Sequence, residues 1–156
     1  MTDLARLEMR IKTLEEECSR LSDIEAIRKL RYKYWRCIHQ GLWDDLLDCY
    51  ADNAAVDFGY GVELEGKAAL ERFYKEHMAP AYVLVAPQGH NPEIEIVTQT
   101  RARGLWQLDN SMVEAATGKA VRVGAAYSEE YVKETGEWVI AGQKVSHIYR
   151  QTVKTE

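Results

Sequence analysis

Residues 101–151 read RARGLWQLDNSMVEAATGKAVRVGAAYSEEYVKETGEWVIAGQKVSHIYRQ. Apolar and polar side chains alternate along this segment with a period of two, which is typical of strands that bury one face. Its β-branched and aromatic residues, such as Val121 and Tyr127, suit a pleated sheet. The segment therefore predicts three long strands, at about 101–114, 119–133 and 137–151, joined by turns at Thr117-Gly118 and Glu134-Thr135-Gly136.

The alternation already starts near residue 81, and we expect a further strand to begin at Ile94. Before residue 81 the apolar period is helical. It predicts a helix through Ile38 that ends at a left-handed Gly41, a short helix from Trp43, and a helix over 67–77 that Pro80 stops. Between the last two helices, residues 55–58 and 62–65 predict a hairpin around Gly59 and Gly61.

The first 21 residues have the most regular pattern. Their apolar residues step by three and four positions, as in the seam of a heptad repeat: Leu4, Leu7, Ile11, Leu14, Cys18 and Leu21. Ser22 followed by Glu25 forms a capping box, so we expect the helix to restart there. The first helix packs either on its own domain or on another subunit, and the narrow apolar stripe favours the second.

Helices followed by a meander of long strands predict an α+β fold, with a curved antiparallel sheet packed on three helices and an extra N-terminal amphipathic helix. We assign residues 1–21 to this heptad helix, for packing or oligomerisation, and residues 22–152 to the α+β domain.

Composition narrows the function classes. The net charge of −5 gives no general attraction to nucleic acid or anionic lipid. No apolar run approaches the roughly 20 residues that span a bilayer, and the charged N-terminus lacks the apolar core of a signal peptide. Three cysteines without a CxxC pair indicate reduced thiols. We therefore expect a cytoplasmic protein that binds neither nucleic acid nor membrane.

Several chemical motifs do not occur. The sequence has no GxGxxG after a strand and no P-loop, which argues against a nucleotide cofactor. It has no HExxH and no Cys/His ligand spacing, which argues against a built metal site. It also has no GxSxG elbow for acyl-serine chemistry. We expect no cofactor and no metal.

Three strings resemble one known family: DIEAIRKLRYKYWRCIHQGLWDDLLDCYADNA, GHNPEIEI with the following GLWQLDN, and EEYVKETGEWVIAGQKVSHIYR. They are similar to SnoaL-like domains of the nuclear transport factor 2-like superfamily over about residues 3–150. Within it, the bacterial bile-acid 7α-dehydratases, which also begin with an extra charged helix, are the most similar group that we can name. The resemblance implies a cone-like sheet around an interior pocket, association as trimers or dimers, and chemistry that often needs no metal or cofactor. The superfamily also hosts isomerases, C–C lyases, dehydrohalogenases and binding domains.

The dehydratases of this family use a His–Asp pair helped by a tyrosine or another polar group. The resemblance places Tyr34 at their pocket tyrosine and His39 at the aspartate that orients their histidine. Their catalytic histidine falls on Pro87, and His90 matches a second family histidine. Either a shift of the loop brings His90 into the catalytic role, or the pair is absent and the chemistry differs.

Two further positions come from the strands. Asn110 matches an inner-face aspartate and could hold an oxyanion or a carbonyl, whereas His147 matches an arginine on the last strand. We interpret Arg36, Arg103 and Lys144 as surface charges. The candidate catalytic residues are thus Tyr34, His39, His90, Asn110 and His147, and the candidate substrate-binding residues are Trp35, Tyr60, Trp106, Leu108 and Met112.

The resulting hypothesis is a cofactor-independent lyase. His90 or His39 would remove a proton, while Tyr34 and Asn110 hold the oxygen that collects charge. The substrate would be a compact, hydroxylated aromatic or polycyclic molecule, in aromatic or steroid catabolism, that loses water or a small carbonyl fragment such as a formyl group. A ketosteroid-isomerase-type isomerase and a non-catalytic small-molecule-binding domain are the alternatives.

Overall fold

The chain begins with a helix of 38 residues, α1 (Asp3–Gln40), whose second part crosses the inner face of a six-stranded sheet. The computed structural model describes residues 2–153. Met1, part of the predicted heptad helix, lies outside the described residues. The other elements are α2 (Trp43–Leu47), β1 (Tyr50–Asp57), β2 (Glu63–Glu65), α3 (Lys67–Arg72), a π-helical turn (Phe73–Met78), α4 (Ala79–Ala81), β3 (Tyr82–Thr98), β4 (Arg101–Glu114), β5 (Ala120–Glu134) and β6 (Glu137–Thr152).

α1 is continuous, so the predicted restart at Ser22 is wrong. The helix begins after Thr2, whose side chain accepts the Ala5 N–H, and it ends at Gly41 with φ +68°. It contains neither glycine nor proline, so nothing in its backbone interrupts the ladder of hydrogen bonds at Ser22. The predicted left-handed cap at Gly41 is confirmed.

The strand predictions are confirmed to within one residue for β4, β5 and β6. β3 differs, because it starts at Tyr82 and Ile94 lies near its end. Its alternation is interrupted between His90 and Glu93, where Asn91 has a φ of +51° and the register shifts. The predicted third helix also differs, since helical backbone continues through the π-helical turn and past Pro80 to Ala81.

The sheet has the order β2-β1-β6-β5-β4-β3. Its neighbours are antiparallel, as predicted, except that β1 and β6 run parallel. No helix within residues 2–153 is both long and apolar enough to cross a membrane.

Pairing of β4, β5 and β6 aligns their inner-face side chains in rows. Register shifts in β6, beside Ala141 and Ile148, add one residue each time and change which residues face inward. From the open end of the sheet inward, the rows are Met112–Val121–Thr152, Asn110–Val123–Arg150, Leu108–Ala125–His147, Trp106–Tyr127–Val145 and Gly104–Glu129–Gln143.

A buried ion pair joins α1 to this sheet. Arg31 Nη1 lies 3.0 Å from Glu129 Oε1, and both side chains are completely buried. The guanidinium lies 4.1 Å from the ring centroid of Tyr34, 4.3 Å from that of Trp35 and 5.0 Å from that of Tyr127. Glu129 also accepts a hydrogen bond from Tyr131. These contacts fix the position of α1 on the sheet.

Burial raises the pKa of the Glu129 carboxyl, and Arg31 and Tyr131 oppose that shift. Replacing Arg31 with Met should therefore leave an unpaired buried carboxylate. We expect a loss of about 3–5 kcal/mol in the free energy of unfolding near pH 8. The folded variant would then bind more protons than the unfolded chain above the ordinary carboxyl pKa, so its stability should fall as the pH rises.

Urea unfolding at about pH 5.5 and about pH 8 measures this difference. Arg31→Met should therefore lose more stability at about pH 8 than at about pH 5.5, relative to the wild type. The double variant Arg31→Met/Glu129→Gln has no carboxyl group at position 129 and should lose most of this pH dependence of stability. A loss of stability in Arg31→Met that is equal at both pH values would contradict the assignment.

Candidate active site

A cavity of about 350 Å³ opens between α1, the β1–β2 turn, the π-helical turn and the inner face of the sheet. Its wall is mostly apolar or aromatic, and its polar groups are few and come from separate elements, as in small-molecule sites. Lining residues include Ile38, Phe58, Phe73, Met78, Leu108, Met112, Val123 and Val145.

Tyr34 and Tyr74 belong to a closed hydrogen-bonded ring at the inner end of the cavity. Gln143 Nε2 lies 3.4 Å from Tyr34 Oη, and Tyr34 and Tyr74 have hydroxyls 3.1 Å apart. The hydroxyls of Tyr74 and Tyr50 are 2.9 Å apart, and Tyr50 donates to Gln143 Oε1 at 3.1 Å. Since a tyrosine has one hydroxyl proton, each hydroxyl in the ring donates once and accepts once. Tyr34 therefore has no free proton for a substrate.

Tyr127 presents a free hydroxyl to this region. It lines the cavity with 8% of its surface exposed, and its hydroxyl makes no hydrogen bond within residues 2–153. Burial raises its pKa far above the ordinary tyrosine value, and the nearby Arg31 cation opposes only part of that shift. Tyr127 therefore remains protonated and can donate to an oxygen atom in the cavity.

His147 is the histidine of β6 that reaches the cavity. Its Nε2 lies 2.9 Å from the carbonyl oxygen of Phe58. A carbonyl can only accept, so Nε2 carries the proton and Nδ1 keeps a free lone pair. The ring also packs on Tyr60, with centroids 4.4 Å apart. Gly59 permits this approach, because a Cβ at its φ of +77° would lie 3.0 Å from the imidazole.

His147 and Tyr127 lie close together by register. His147 pairs with Ala125, two residues from Tyr127 on the same face of β5. Such diagonal neighbours have Cβ atoms roughly 7 Å apart. A base and a hydroxyl donor therefore border one region of the cavity.

Asn110 lies one row further out, on β4, and lines the cavity as predicted. Its Oδ1 is buried without a hydrogen-bond partner within residues 2–153. Trp35, Tyr60, Leu108 and Met112 also line the cavity, in agreement with the sequence prediction.

Three candidates do not line the cavity, and their predicted positions are corrected here. His39 is exposed at the end of α1, where its Nδ1 lies 2.9 Å from the Val85 carbonyl oxygen. His90 pairs with the exposed Gln107 and so lies on the outer face of the sheet, with Nδ1 3.2 Å from the Gln88 carbonyl oxygen. Trp106 lies behind Trp35, at a centroid distance of 5.1 Å, and donates to the Tyr131 hydroxyl.

The loop shift that would bring His90 inward does not occur. Pro87 occupies the cavity wall where the resemblance places the family's catalytic histidine, and it has no basic group. Arg103, interpreted as a surface charge, pairs with Glu95 on the outer face.

Among the lining residues that the sequence interpretation missed, five carry polar side chains: Tyr74, His77, Tyr82, Tyr127 and Arg150. Tyr74 and Tyr127 were assigned only to packing, although each has a hydroxyl on a predicted inner face. Arg150 faces inward only because of the register shift beside Ile148, which simple alternation does not reveal. Within residues 2–153, no group of three or more His, Cys, Asp or Glu side chains is arranged to hold a metal ion.

This architecture, a helix-covered curved sheet around an apolar cavity, defines a cone-shaped α+β domain. The profile of the SnoaL-like domain family matches residues 19–143, and the chain belongs to that family. The narrower resemblance to bile-acid 7α-dehydratases stays a prediction.

Similar solved structures share this fold at low sequence identity. A type 2 hexachlorocyclohexane dehydrochlorinase (LinA) has a TM-score of 0.84 at 17% identity, over 88% of this chain and 93% of its own. A provisionally assigned scytalone dehydratase from Novosphingobium aromaticivorans has a TM-score of 0.82 at 13% identity, and the match covers 90% of this chain and 93% of that protein. The LinA-type3 dehydrochlorinase from Novosphingobium barchaimii LL02 has a TM-score of 0.82 at 16% identity, and the match covers 88% of this chain and 94% of that protein.

Proposed function

We propose that this protein is a cofactor-independent lyase that acts on a compact, hydroxylated aromatic or polycyclic molecule. The observation that carries the proposal is the His147 imidazole, which lines the cavity and whose Nε2–H is directed to the Phe58 carbonyl at 2.9 Å, so that Nδ1 keeps its lone pair. The names of two similar structures, a dehydrochlorinase and a dehydratase, describe eliminations and support the same class of reaction here.

In the proposed reaction, Nδ1 of His147 takes a proton from a substrate carbon. The electron pair released forms a double bond while the bond to a hydroxyl group on the adjacent carbon breaks. The imidazolium returns the proton to the departing oxygen, which leaves as water. The proton balance closes without an external reactant. Loss of a carbonyl fragment follows the same cycle if the proton comes from a hydroxyl group and returns to carbon.

Tyr127 stabilises the oxygen on which negative charge develops. The Tyr127 residue is buried, and its hydroxyl has no other partner within residues 2–153, so a substrate oxygen would be its first hydrogen-bond acceptor. Hydrogen bonds made in a water-poor cavity stabilise developing charge more than they do in water. Tyr34 and Tyr74, whose protons are engaged in the ring, would accept a hydrogen bond from a substrate hydroxyl.

The size of the cavity favours a substrate of few rings. Its volume of about 350 Å³ is near the lower end of the range for small-molecule sites, roughly 300–1,000 Å³. The aromatic wall, including Trp35 and Phe58, suits the flat faces of such a molecule.

The test is turnover of a panel of hydroxylated aromatics and steroids, followed by chromatography and mass spectrometry. We expect a product lighter by one water or one carbonyl fragment. Replacing His147 with Gln keeps a donor for the Phe58 carbonyl but removes the base, and should slow turnover by about 100-fold or more. Tyr127→Phe should slow it by a smaller factor.

His39→Gln and His90→Gln are matched controls, because both histidines lie outside the cavity, and they should retain wild-type rates. A product of unchanged mass would instead indicate an isomerase. Binding of ligands without any product would indicate a binding domain. Full activity of His147→Gln would exclude His147 as the base.

A further inference from the structure

The inner-face row Asn110–Val123–Arg150 carries a cation that the proposed reaction does not use. Arg150 lines the cavity, in the row next to His147. Strict alternation from His147 would place Arg150 on the outer face, and the extra residue beside Ile148 turns it inward. None of the cavity-lining residues in the described part of the chain is acidic, whereas His77, His147 and Arg150 are basic.

Arg150 is held in place but not saturated. Its Nη2 lies 2.6 Å from Glu114 Oε1, and the other oxygen of that carboxylate accepts from Thr117 at 2.8 Å. Glu114 is thereby engaged on both oxygens. Because a guanidinium has five N–H donors, most of them remain for a ligand.

We propose that Arg150 forms a carboxylate-binding subsite at the open end of the cavity. This rests on the proposed function and specifies its substrate: a hydroxylated aromatic acid, with the acid group at Arg150 and the reacting centre beside His147. Adjacent rows are two residues apart along a strand, or roughly 7 Å. The carboxylate would therefore lie about one aromatic ring from the centre that reacts.

Calorimetric binding of 6-hydroxy-2-naphthoate and 2-naphthol at about pH 7 tests the subsite without requiring turnover. The two probes share the ring system and hydroxyl, and only the first carries a carboxylate. A charged hydrogen-bonded pair should give the naphthoate an advantage of about tenfold or more. Arg150→Gln should remove that advantage while leaving 2-naphthol affinity unchanged.

Arg103→Gln is the matched control, since Arg103 pairs with a glutamate on the outer face, and it should retain the advantage. Equal affinities of the wild type for both probes would overturn the subsite alone. Failure of both probes to bind would overturn the subsite together with the cavity assignment. If the protein prefers the naphthoate but turns over no hydroxylated acid, the carboxylate subsite stands and the proposed lyase activity is rejected.

A separate observation concerns the first part of α1. Residues 3–22 contain no buried side chain, and the five aliphatic residues of the heptad seam are between 52% and 66% exposed. At 1.5 Å per residue this segment is roughly 30 Å long. Contact with the domain begins at Asp23, which accepts hydrogen bonds from Lys133 and Trp138. Of the two alternatives that the sequence left open, packing on its own domain is therefore not observed, and packing on another subunit stays a prediction.

We propose that the seam pairs with the same seam of a second copy in antiparallel orientation. Residues 3–12 carry three basic and two acidic side chains, and residues 13–22 carry three acidic and one basic. Antiparallel pairing brings the basic half of one helix beside the acidic half of the other, whereas parallel pairing brings the acidic halves together. In this register Leu4 of one copy packs against Leu21 of the other, Leu7 against Cys18 and Ile11 against Leu14.

Disulfide mapping tests both the pairing and its direction. Cys18 is exposed, whereas Cys37 and Cys49 are buried, and burial raises the pKa of the Cys49 thiol to about 12. Leu7→Cys should give, on mild oxidation, a covalent dimer in which peptides containing residues 7 and 18 are joined. The wild type should not cross-link, because antiparallel Cys18 residues lie about 16 Å apart along the axis.

Leu14→Asp should reduce the sedimenting dimer, and Met9→Asp, which changes an exposed residue off the seam, should not. A Cys18–Cys18 disulfide in the wild type would indicate parallel pairing and overturn the orientation. A wild-type protein that sediments as a monomer at micromolar concentration, and a Leu7→Cys variant that does not cross-link, would overturn the interface.

Discussion

The ion pair of Arg31 and Glu129 is the constraint on which the rest of the site depends. It lies where α1 crosses β5, with both side chains fully buried and three aromatic rings around the guanidinium. Buried pairs of this kind contribute little net stability compared with apolar residues, but losing one partner is costly. The pair therefore acts mainly to fix one position of the helix on the sheet.

That position determines the cavity. Tyr34 lies less than one helical turn beyond Arg31, which places its hydroxyl in the ring with Tyr74, Tyr50 and Gln143. The ring closes the inner end of the cavity with hydroxyls that already have partners. Tyr127, on the next row, has no partner within residues 2–153, and the open end carries His147 and Arg150. From the inner end of the cavity outward, the polar groups are thus the hydrogen-bonded ring, the free hydroxyl of Tyr127, the proposed base His147 and the cation of Arg150.

Most of the fold follows from the sequence, because period-two alternation and turn residues define β4, β5 and β6 almost to the residue. Family membership and the cavity-lining positions of Tyr34, Asn110 and His147 also agree with the sequence analysis. Their chemical roles remain proposals.

The incorrect placements have local physical causes. Ser22 and Glu25 form a capping-box pattern, but both residues are also compatible with the interior of a helix. The backbone hydrogen bonds of α1 continue through Ser22, so no new helix begins there. The resemblance alone placed His90 in the site; the irregularity at Asn91 comes after it, so the register keeps His90 opposite Gln107 on the outer face. Arg150 follows an irregularity at Ile148, which alternation alone does not reveal. His39 lies in the last turn of α1, and its ring contacts the Val85 carbonyl and not the cavity.

The protonation of His147 is the central claim, and ¹⁵N-resolved NMR of its imidazole measures it directly. The His147→Gln variant identifies the signal by its absence. In the neutral ring we predict the proton on Nε2, with a deprotonated Nδ1, because the Phe58 carbonyl accepts from Nε2. A neutral ring protonated at Nδ1 would contradict the account, since the nitrogen assigned as the base would then carry the proton.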